Sequence, residues 1–161
     1  MALVYIGLGS NLGGPAAKLR AALAAIGRHG RVLRTSRRYR TAPVGYRDQP
    51  EFLNQVAELE TELTPRALFS ELQRIEHELG REPTFRNGPR RIDLDILLYD
   101  AVEVHDADLC IPHPRLRERA FVLRPLAELI AELDGKPMAY WLQAVAGQAA
   151  SPLEEGKGDV A

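Results

Sequence analysis

The sequence predicts an α+β protein of the ferredoxin-like class, in which an antiparallel sheet carries its helices on one face. The first observation is the order of the patterns, which runs strand, helix, strand, strand, helix, strand, the split βαβ arrangement. The second is that both helical patterns begin at a proline and end at a glycine. The third is a length of 161 residues, which suits one domain. We therefore expect a single domain at residues 1–150, including a C-terminal extension, and a disordered tail at 151–161.

The first half of the chain contains two strand patterns separated by one amphipathic helix. Residues 3–8 are a continuous apolar run closed by Gly9, which is typical of a buried strand. Residues 32–39 predict a second strand near a sheet edge, because they are rich in arginine, threonine and serine, and 41–49 predict a loop. The helix between the strands begins at Pro15 and has its apolar residues at helical spacing: Leu19, Ala22, Leu23 and Ile26.

The second half predicts two more strands and a second long helix. Thr64 caps a helix that begins at Pro65 and ends at Gly80, and a polar loop follows at 81–91. The strand at 52–61 has Leu53, Gln55, Ala57 and Leu59 on one face, and the strand at 92–99 has Ile92, Leu94, Ile96 and Leu98 on its core face. The remaining expected elements are a hairpin within 102–111, a loop at 112–114, an apolar helical segment at 121–133 and a short helix at 140–145.

Composition excludes several classes of function. Lysine and arginine number 21 and aspartate and glutamate 22, so the net charge is −1 and the chain lacks the overall basic field of a nucleic-acid-binding protein. The single cysteine, Cys110, excludes an intramolecular disulfide and a cysteine-based metal cluster. No apolar run approaches the roughly 20 residues of a membrane span, and no basic leader precedes the first strand. We expect a cytoplasmic protein with no membrane or nucleic-acid partner.

The most informative motif is Asp93-Leu94-Asp95 within the fourth predicted strand. Because side chains alternate along a strand, both carboxylates share the face opposite the core. Two such close carboxylates repel each other, and a hard divalent cation such as Mg²⁺ would neutralise them. The alternative is a solvated strand face whose acids pair with arginines. The motif alone does not decide between the two.

Arginines crowd the segment that leads into this strand. Arg81, Arg86, Arg90 and Arg91 stand beside the acid pair, as phosphoryl transfer requires, because guanidinium groups neutralise charge on the transferred phosphate. Simple ion pairing with the aspartates remains the alternative. A metal-dependent nuclease could use the same acids, but it would need a basic groove, and single-strand binding would need interleaved aromatic residues.

Two further motifs carry weaker signals. The glycines between Gly7 and Gly14 match neither a phosphate-binding P-loop nor a dinucleotide fingerprint, so we interpret them as a tight turn before the helix. His113 has no second histidine or cysteine at ligand spacing, which argues against zinc. A phosphate contact suits it better, because Arg115, Arg117 and Arg119 follow closely.

Five stretches together resemble one enzyme family. They are residues 5–12 (YIGLGSNL), 39–43 (YRTAP), 48–54 (DQPEFLN), 88–96 (GPRRIDLDI) and 112–122, which contains PHPRL and RAFV. In this order and spacing they look like the 6-hydroxymethyl-7,8-dihydropterin pyrophosphokinases of folate biosynthesis. The resemblance runs from about residue 2 to residue 133. It implies a ferredoxin-like α+β fold, in agreement with the pattern of elements, and it makes residues 1–150 a pyrophosphokinase domain.

The resemblance implies a reaction and the residues that catalyse it. ATP and the hydroxymethyl dihydropterin would give AMP and the pterin diphosphate, by attack of the pterin hydroxyl on the β-phosphorus. By similarity, Asp93 and Asp95 are metal ligands for two Mg²⁺ ions, and ATP is the co-substrate. The catalytic residues would be Arg81, Arg90 and Asp95, with Asp95 orienting the hydroxyl or taking its proton.

The resemblance also assigns residues to each substrate. The pterin-binding residues would be Thr41, Ala42, Val44, Phe52, Asn54 and Phe121, with the amide of Asn54 reading the pterin edge and the two phenylalanines enclosing the ring. The nucleotide-binding residues would be Gln73, Glu76, Arg81, Arg90, Ile96, His113 and Arg119. We expect a monomer. The rival hypothesis is a catalytically silent ferredoxin-like ligand-binding module, which would not need the acid pair beside Arg90.

Overall fold

A computed structural model describes residues 1–42, 48–81, 84 and 88–153. Its longest elements are three strands and two helices, and shorter strands and helices complete the chain. The elements are β1 (Ala2–Ser10), α1 (Pro15–Ile26), β2 (Arg31–Thr35), β3 (Tyr39–Thr41), β4 (Phe52–Thr61), α2 (Pro65–Glu78), β5 (Asp93–Tyr99), β6 (Val104–His105), β7 (Cys110–Ile111), α3 (Ala120–Ala127), β8 (Glu132–Leu133), β9 (Lys136–Pro137), α4 (Met138–Ala144) and β10 (Ala150–Pro152).

The main sheet has the order β10-β3-β4-β1-β5, and β2 also pairs with β4. Every neighbouring pair in it is antiparallel, as predicted. Strand β1 lies in the interior of the sheet between β4 and β5, so residues far apart in the sequence face each other across it. The α+β class and the antiparallel sheet are therefore confirmed.

Helices α1 and α2 pack on one face of the sheet. Thr64 caps α2 by accepting a hydrogen bond from the Ala67 amide at 3.2 Å, and Pro65 occupies its first turn. Before α1, Gly13 and Gly14 both have positive φ (69° and 76°), which a residue with a side chain adopts only under strain. The core between the helices and the sheet is formed by Val4, Ile6, Leu8, Leu19, Ile26, Leu59, Leu68, Leu72 and Ile75.

A second apolar cluster covers part of the opposite face. Helices α3 and α4 pack there against side chains of β1, β4 and β5, including Tyr5, Val56 and Leu97. They cover only one end of this face. The other end stays open, and the cleft described below occupies it.

The predicted second strand at 32–39 is wrong in one respect, because it is two strands. Ser36 interrupts it: the Ser36 amide donates to the Val56 carbonyl at 2.8 Å, and the Ser36 hydroxyl accepts from the Val56 amide at 3.0 Å. The Ser36 hydroxyl therefore accepts the hydrogen bond that a backbone carbonyl of the neighbouring strand would otherwise accept from Val56. This contact depends on a residue twenty positions away.

The predicted helix at 121–133 is also wrong beyond its first half. Helix α3 ends at Ala127, and β8 and β9 then form a hairpin. Its two turn residues, Asp134 and Gly135, have positive φ of 53° and 74°, the conformation that an Asp-Gly turn favours. The apolar run masked this turn signal.

Two smaller expectations need correction. Leu98 packs against the second cluster instead of sharing the core face with Leu94 and Ile96. The register between β1 and β5 shifts at this point, which leaves Leu97 as an extra residue and reverses the alternation. Ser151 and Pro152, placed in the disordered tail, belong to β10 and pair with β3. Residues 154–161 lie outside the described residues. No helix in the described ranges is long and apolar enough to cross a membrane.

Candidate active site

The floor of the cleft includes the part of β1 where two glycines, Gly7 and Gly9, occupy alternate positions. Gly9 of β1 lies directly between Asn54 on β4 and Asp93 on β5 in the strand register. Gly7 lies in the same way between Val56 and Asp95. Neighbouring strands are about 4.8 Å apart, so roughly 10 Å of open floor separates the backbone of Asn54 from that of Asp93. The cleft above this floor opens to solvent and has a volume of about 780 Å³, which includes the solvent space at its mouth.

One end of the cleft is suited to a flat polar ligand. The Asn54 side chain is 8% exposed, and its Nδ2 donates to the Thr41 hydroxyl at 2.6 Å, which fixes the orientation of the amide. Phe52 and Phe121 are half-buried residues of the cleft wall. Gly9 allows Asn54 to occupy its position, because a Cβ at Gly9 would lie only 2.8 Å from Asn54 Oδ1.

The other end of the cleft carries acids and arginines in contact. Asp93 accepts a hydrogen bond from Arg81 Nη1 at 2.9 Å and lies 3.5 Å from Arg90 Nη1. Arg81 Nη1 also donates to Glu76 at 2.8 Å, and the same Glu76 oxygen accepts from the Leu94 amide at 2.7 Å. Burial raises the pKa of Glu76, against the opposing effects of the Leu94 amide and Arg81. The arginines therefore neutralise Asp93.

Asp95 has no such neutralisation. Burial raises its pKa to about 8, with a further contribution from the negative charges of Asp93 and Glu76. The side chain is 42% exposed, but it is exposed into the cleft, whose walls limit its hydration. At neutral pH this carboxyl holds a proton unless a cation takes its place.

His113 points its Nε2 nitrogen toward Asp95, at a distance too long for a direct hydrogen bond. Its Nδ1 accepts from the Arg115 amide at 3.1 Å, so the proton of the neutral ring is on Nε2. Nε2 lies 3.9 Å from the nearer Asp95 oxygen. Burial lowers the pKa of His113, and the nearby Arg119 charge lowers it further, so the ring is neutral at pH 7.

A second cleft meets the first at Asp95 and His113, which line both. Its walls are largely apolar and come from α2, β5, the segment around β7 and the loop after it. They include Phe69, Leu94, Ile96, Leu109, Cys110 and Pro114. Asp95 therefore lies between the cleft that contains the Asn54 amide and the cleft with apolar walls, whereas Asp93 lines only the first.

The acid pair fits an Mg²⁺ ion that arrives with a phosphate ligand. Within the described ranges, no group of three or more histidine, cysteine, aspartate or glutamate residues could hold a metal ion. Mg²⁺ does not need such a cage, because it binds through one or two carboxylates and completes its shell with water and substrate phosphate oxygens. Asp93 and Asp95 supply that minimal set.

A sequence profile of the 7,8-dihydro-6-hydroxymethylpterin-pyrophosphokinase family matches residues 5–131. The chain belongs to this family. It is 46% identical over 134 residues to the 2-amino-4-hydroxy-6-hydroxymethyldihydropteridine pyrophosphokinase of Bacillus subtilis, covering 82% of this chain and 80% of that protein. It is also 46% identical over 135 residues to the Haemophilus influenzae protein of the same name, covering 83% of this chain and 84% of that protein.

Relatives of this pyrophosphokinase family also occur within longer chains. The folate synthesis bifunctional protein of Arabidopsis thaliana is 45% identical over 140 residues, but this chain spans only 25% of it. The crystal structure of wild-type HPPK-DHPS from Plasmodium falciparum superposes with a TM-score of 0.70 at 14% identity, over 91% of this chain and 45% of that chain. At that identity the likeness shows the fold alone.

The structure brings most of the predicted pyrophosphokinase site residues together. Glu76 and Arg81 lie behind the main cleft in contact with its acids, and Ile96 lines the second cleft. Gln73 is exposed on α2 and lines neither cleft, and Val44 lies outside the described residues, as do 82, 83 and 85–87 of the arginine loop. The predicted residues that line the main cleft are Thr41, Ala42, Phe52, Asn54, Arg90, Asp93, Asp95, His113, Arg119 and Phe121.

Sequence analysis missed the role of the two glycines in β1. We interpreted Gly7 and Gly9 as part of a tight turn, whereas both lie within the strand and form the cleft floor. Alternate glycines in a strand leave one face without side chains, which is a known mark of close approach by a ligand. That spacing was the signal that could have identified them.

Proposed function

We propose that this cleft transfers diphosphate from ATP to 6-hydroxymethyl-7,8-dihydropterin in a Mg²⁺-dependent reaction. ATP-dependent pyrophosphokinase activity in folate biosynthesis follows from family membership. The observation that carries the proposed residue roles is the alignment of Asn54, Gly9 and Asp93 across three adjacent strands. The backbone of Asn54 and that of Asp93, the first residue of the acid pair, are therefore roughly 10 Å apart, and the Gly9 backbone lies between them.

At the reader end, the pterin would lie flat over Gly9 with its edge toward Asn54. A side-chain amide presents a donor and an acceptor side by side, which matches the alternating pattern of a pterin edge. Because Thr41 holds Nδ2, the amide is already oriented before the ligand binds. Phe52 and Phe121 would enclose the ring, and backbone groups of Thr41, Ala42 and Val44 would complete the pocket.

At the acid end, Asp93 and Asp95 would hold the two Mg²⁺ ions. When bound, these ions would neutralise the phosphate oxygens and fix their geometry at the β-phosphorus. The pterin hydroxyl oxygen forms a bond to that phosphorus, the bond from phosphorus to the α,β-bridging oxygen breaks, and AMP leaves with that oxygen. Asp95, once ionised, would orient the hydroxyl and accept its proton.

The cationic and neutral donors would bind the phosphates. Arg81 and Arg90 already stand at Asp93, and they would turn from its carboxylate to the phosphate oxygens, where guanidinium groups stabilise developing charge. His113 would donate through Nε2–H without adding charge, and Arg119 would add a further cation. We assign the nucleotide base to the second, apolar cleft beside Ile96, with Gln73 and Glu76 on the adjoining helix.

The test is incubation with ATP, Mg²⁺ and the dihydropterin, followed by separation of the nucleotides. We expect AMP and pterin diphosphate in equal amounts, and no turnover after metal chelation. ADP as the product would mean an ordinary kinase. Neither product, with both ligands still bound, would favour a catalytically silent binding module.

The finer fold class, cell location and assembly are also proposals. We classify the sheet as ferredoxin-like, since β1, β4, β5 and the split pair β2/β3 follow the strand order of a split βαβ unit. A monomeric, cytoplasmic enzyme remains our prediction. Light scattering on the purified protein tests the first property, and cell fractionation tests the second.

A further inference from the structure

Asn11 is buried at the point where β1 ends, and its polar groups join two other segments of the chain. It is 2% exposed. The backbone N–H of Asn11 donates to the Arg90 carbonyl at 3.0 Å, and its side-chain Oδ1 accepts from the backbone N–H of Arg90 at 2.9 Å. Its Nδ2 donates to Gln49 Oε1 at 2.9 Å and to the Pro50 carbonyl at 3.0 Å. One asparagine therefore binds both segments with four hydrogen bonds.

The two segments lead to opposite ends of the cleft. Arg90 contacts Asp93, and its backbone is held by Asn11 on both its N–H and its carbonyl side. Pro50 stands two residues before Phe52, and β4 then continues to Asn54. A displacement of either segment that breaks its hydrogen bonds to Asn11 leaves polar groups of this buried asparagine, and of the displaced segment, without partners. Such a loss costs about 1–3 kcal/mol per group.

This arrangement makes the two subsites energetically dependent on each other. A phosphate that fixes Arg90 also fixes Asn11, and Asn11 then holds Pro50 and the start of β4 in the position that binds the pterin. The pterin that binds next then loses less conformational entropy, which gives positive cooperativity without a large conformational change. We infer that Asn11 is a positioning residue that couples nucleotide binding to pterin binding. The inference rests on the proposed assignment of the two subsites.

The experiment measures a coupling factor. The dissociation constant of 6-hydroxymethylpterin, the oxidised analogue, is determined by calorimetry with and without Mg²⁺ and α,β-methylene-ATP. The ratio is the coupling factor, and the same ratio must appear when the nucleotide is titrated with and without the pterin. We expect wild-type coupling of roughly 5- to 150-fold, the usual range. We expect Asn11→Ala to reduce it to within about threefold of unity, with nucleotide affinity in the absence of pterin changed far less.

Thr61→Val is the matched control. Thr61 is fully buried on β4, at the end of the strand away from the cleft, and its hydroxyl donates to the His29 carbonyl at 2.7 Å and accepts from the Leu63 amide at 3.1 Å. It should lower the melting temperature but leave the coupling factor unchanged. If Asn11→Ala does not fold, Asn11→Ser, which keeps a short polar side chain, takes its place in the same titrations.

The outcomes separate the inference from the proposed function. Loss of coupling in a folded Asn11 variant, with coupling intact in Thr61→Val, supports the inference. Wild-type coupling near unity, or coupling retained in the Asn11 variant, overturns it and leaves Asn11 as a purely structural residue. Failure of the proposed function would appear elsewhere, as absence of AMP and pterin diphosphate from the wild-type reaction.

Discussion

Replacing Gly9 with alanine should lower the affinity for the pterin, because the added methyl group displaces the side-chain oxygen of Asn54. The added methyl group would lie 2.8 Å from Asn54 Oδ1, which is 0.6 Å short of the 3.4 Å at which ordinary contact begins. The backbone of Gly9 does not have a positive φ, so alanine fits its conformation. The strand can therefore keep its place, and the Asn54 side chain must move.

The size of the effect follows from what Asn54 holds. Its Nδ2 is bound to Thr41 at 2.6 Å, so the amide cannot turn away without leaving its rotamer or losing that bond. A side chain forced about 30° from its rotamer costs about 0.5–1.5 kcal/mol. A buried donor or acceptor that loses its partner costs about 1–3 kcal/mol. Because one or the other cost applies, about 0.5–3 kcal/mol, we expect the dissociation constant of the pterin to rise about 2- to 140-fold, at about 1.4 kcal/mol per factor of ten.

A double-mutant cycle tests whether the effect passes through Asn54. Pterin affinity is measured by calorimetry, with Mg²⁺ and α,β-methylene-ATP present, for wild type, Gly9→Ala, Asn54→Ala and the double variant. In the Asn54→Ala background the clashing oxygen is absent, so Gly9→Ala should add little further loss. Gly147→Ala is the control for the substitution itself, because a Cβ there would meet no atom within 4 Å.

Three results would refute this reasoning. Pterin affinity within twofold of wild type in Gly9→Ala would mean that the Asn54 amide is not the reader. Additive losses in the double variant would mean that the methyl group acts on the ligand or the strand directly. A fall in nucleotide affinity equal to the fall in pterin affinity would place the damage in the fold.

Three other expectations concern the charged groups. Asp95→Asn should lower kcat by about a hundredfold or more at saturating Mg²⁺. Its melting temperature at pH 7 should barely change, because asparagine mimics the protonated carboxyl group that Asp95 carries at this pH. A normal kcat would exclude Asp95 from catalysis. Binding of Mg²⁺ with the nucleotide analogue should release up to one proton at pH 7 and almost none at about pH 9.5, because the pKa of Asp95 is about 8 before binding. Calorimetry in buffers of different ionisation enthalpy measures the number of protons released. Equal proton release from Asp95→Asn would assign the proton to another group. Glu58 has a lowered pKa, chiefly because Arg34 donates to it at 3.0 and 2.8 Å, so its stabilisation is present above pH 4.5 and disappears as the pH falls through its folded pKa. Melting temperatures should therefore fall more steeply below about pH 5 in wild type than in Glu58→Gln, and parallel curves would contradict this role.

Local patterns were sufficient to predict which strand face carries the acid pair, but not the details of strand pairing. Asp93 and Asp95 share a face because strand side chains alternate, which requires no knowledge of the partner strand. The division of β2 from β3 depends on Ser36 reaching Val56, and the fate of Leu98 depends on a register shift against β1. Such features belong to pairs of strands, so a single strand pattern cannot contain them.

The site residues that sequence analysis missed have the same character. Gly9 matters because of what stands beside it on both neighbouring strands, and Asn11 because Gln49 and Arg90, 38 and 79 positions away, meet it in space. Among the missed features of the fold, the Asp134–Gly135 turn differs from these residues because its sequence signal is local. The surrounding apolar run outweighed that signal.

The pairing of Arg81 and Arg90 with Asp93 balances the charge of this carboxylate within the protein, and this has a consequence for selection. A nucleotide without metal could recruit the arginines only by leaving Asp93 unpaired. A metal ion without nucleotide could recruit Asp93 only by leaving Arg90 without its carboxylate partner and Arg81 with Glu76 alone. The metal–nucleotide complex presents both charges at once, so each partner of the old ion pairs finds a new one. On the proposed residue roles, we expect the cleft to bind the metal–nucleotide complex in preference to either component alone, because the ion pairs exchange partners.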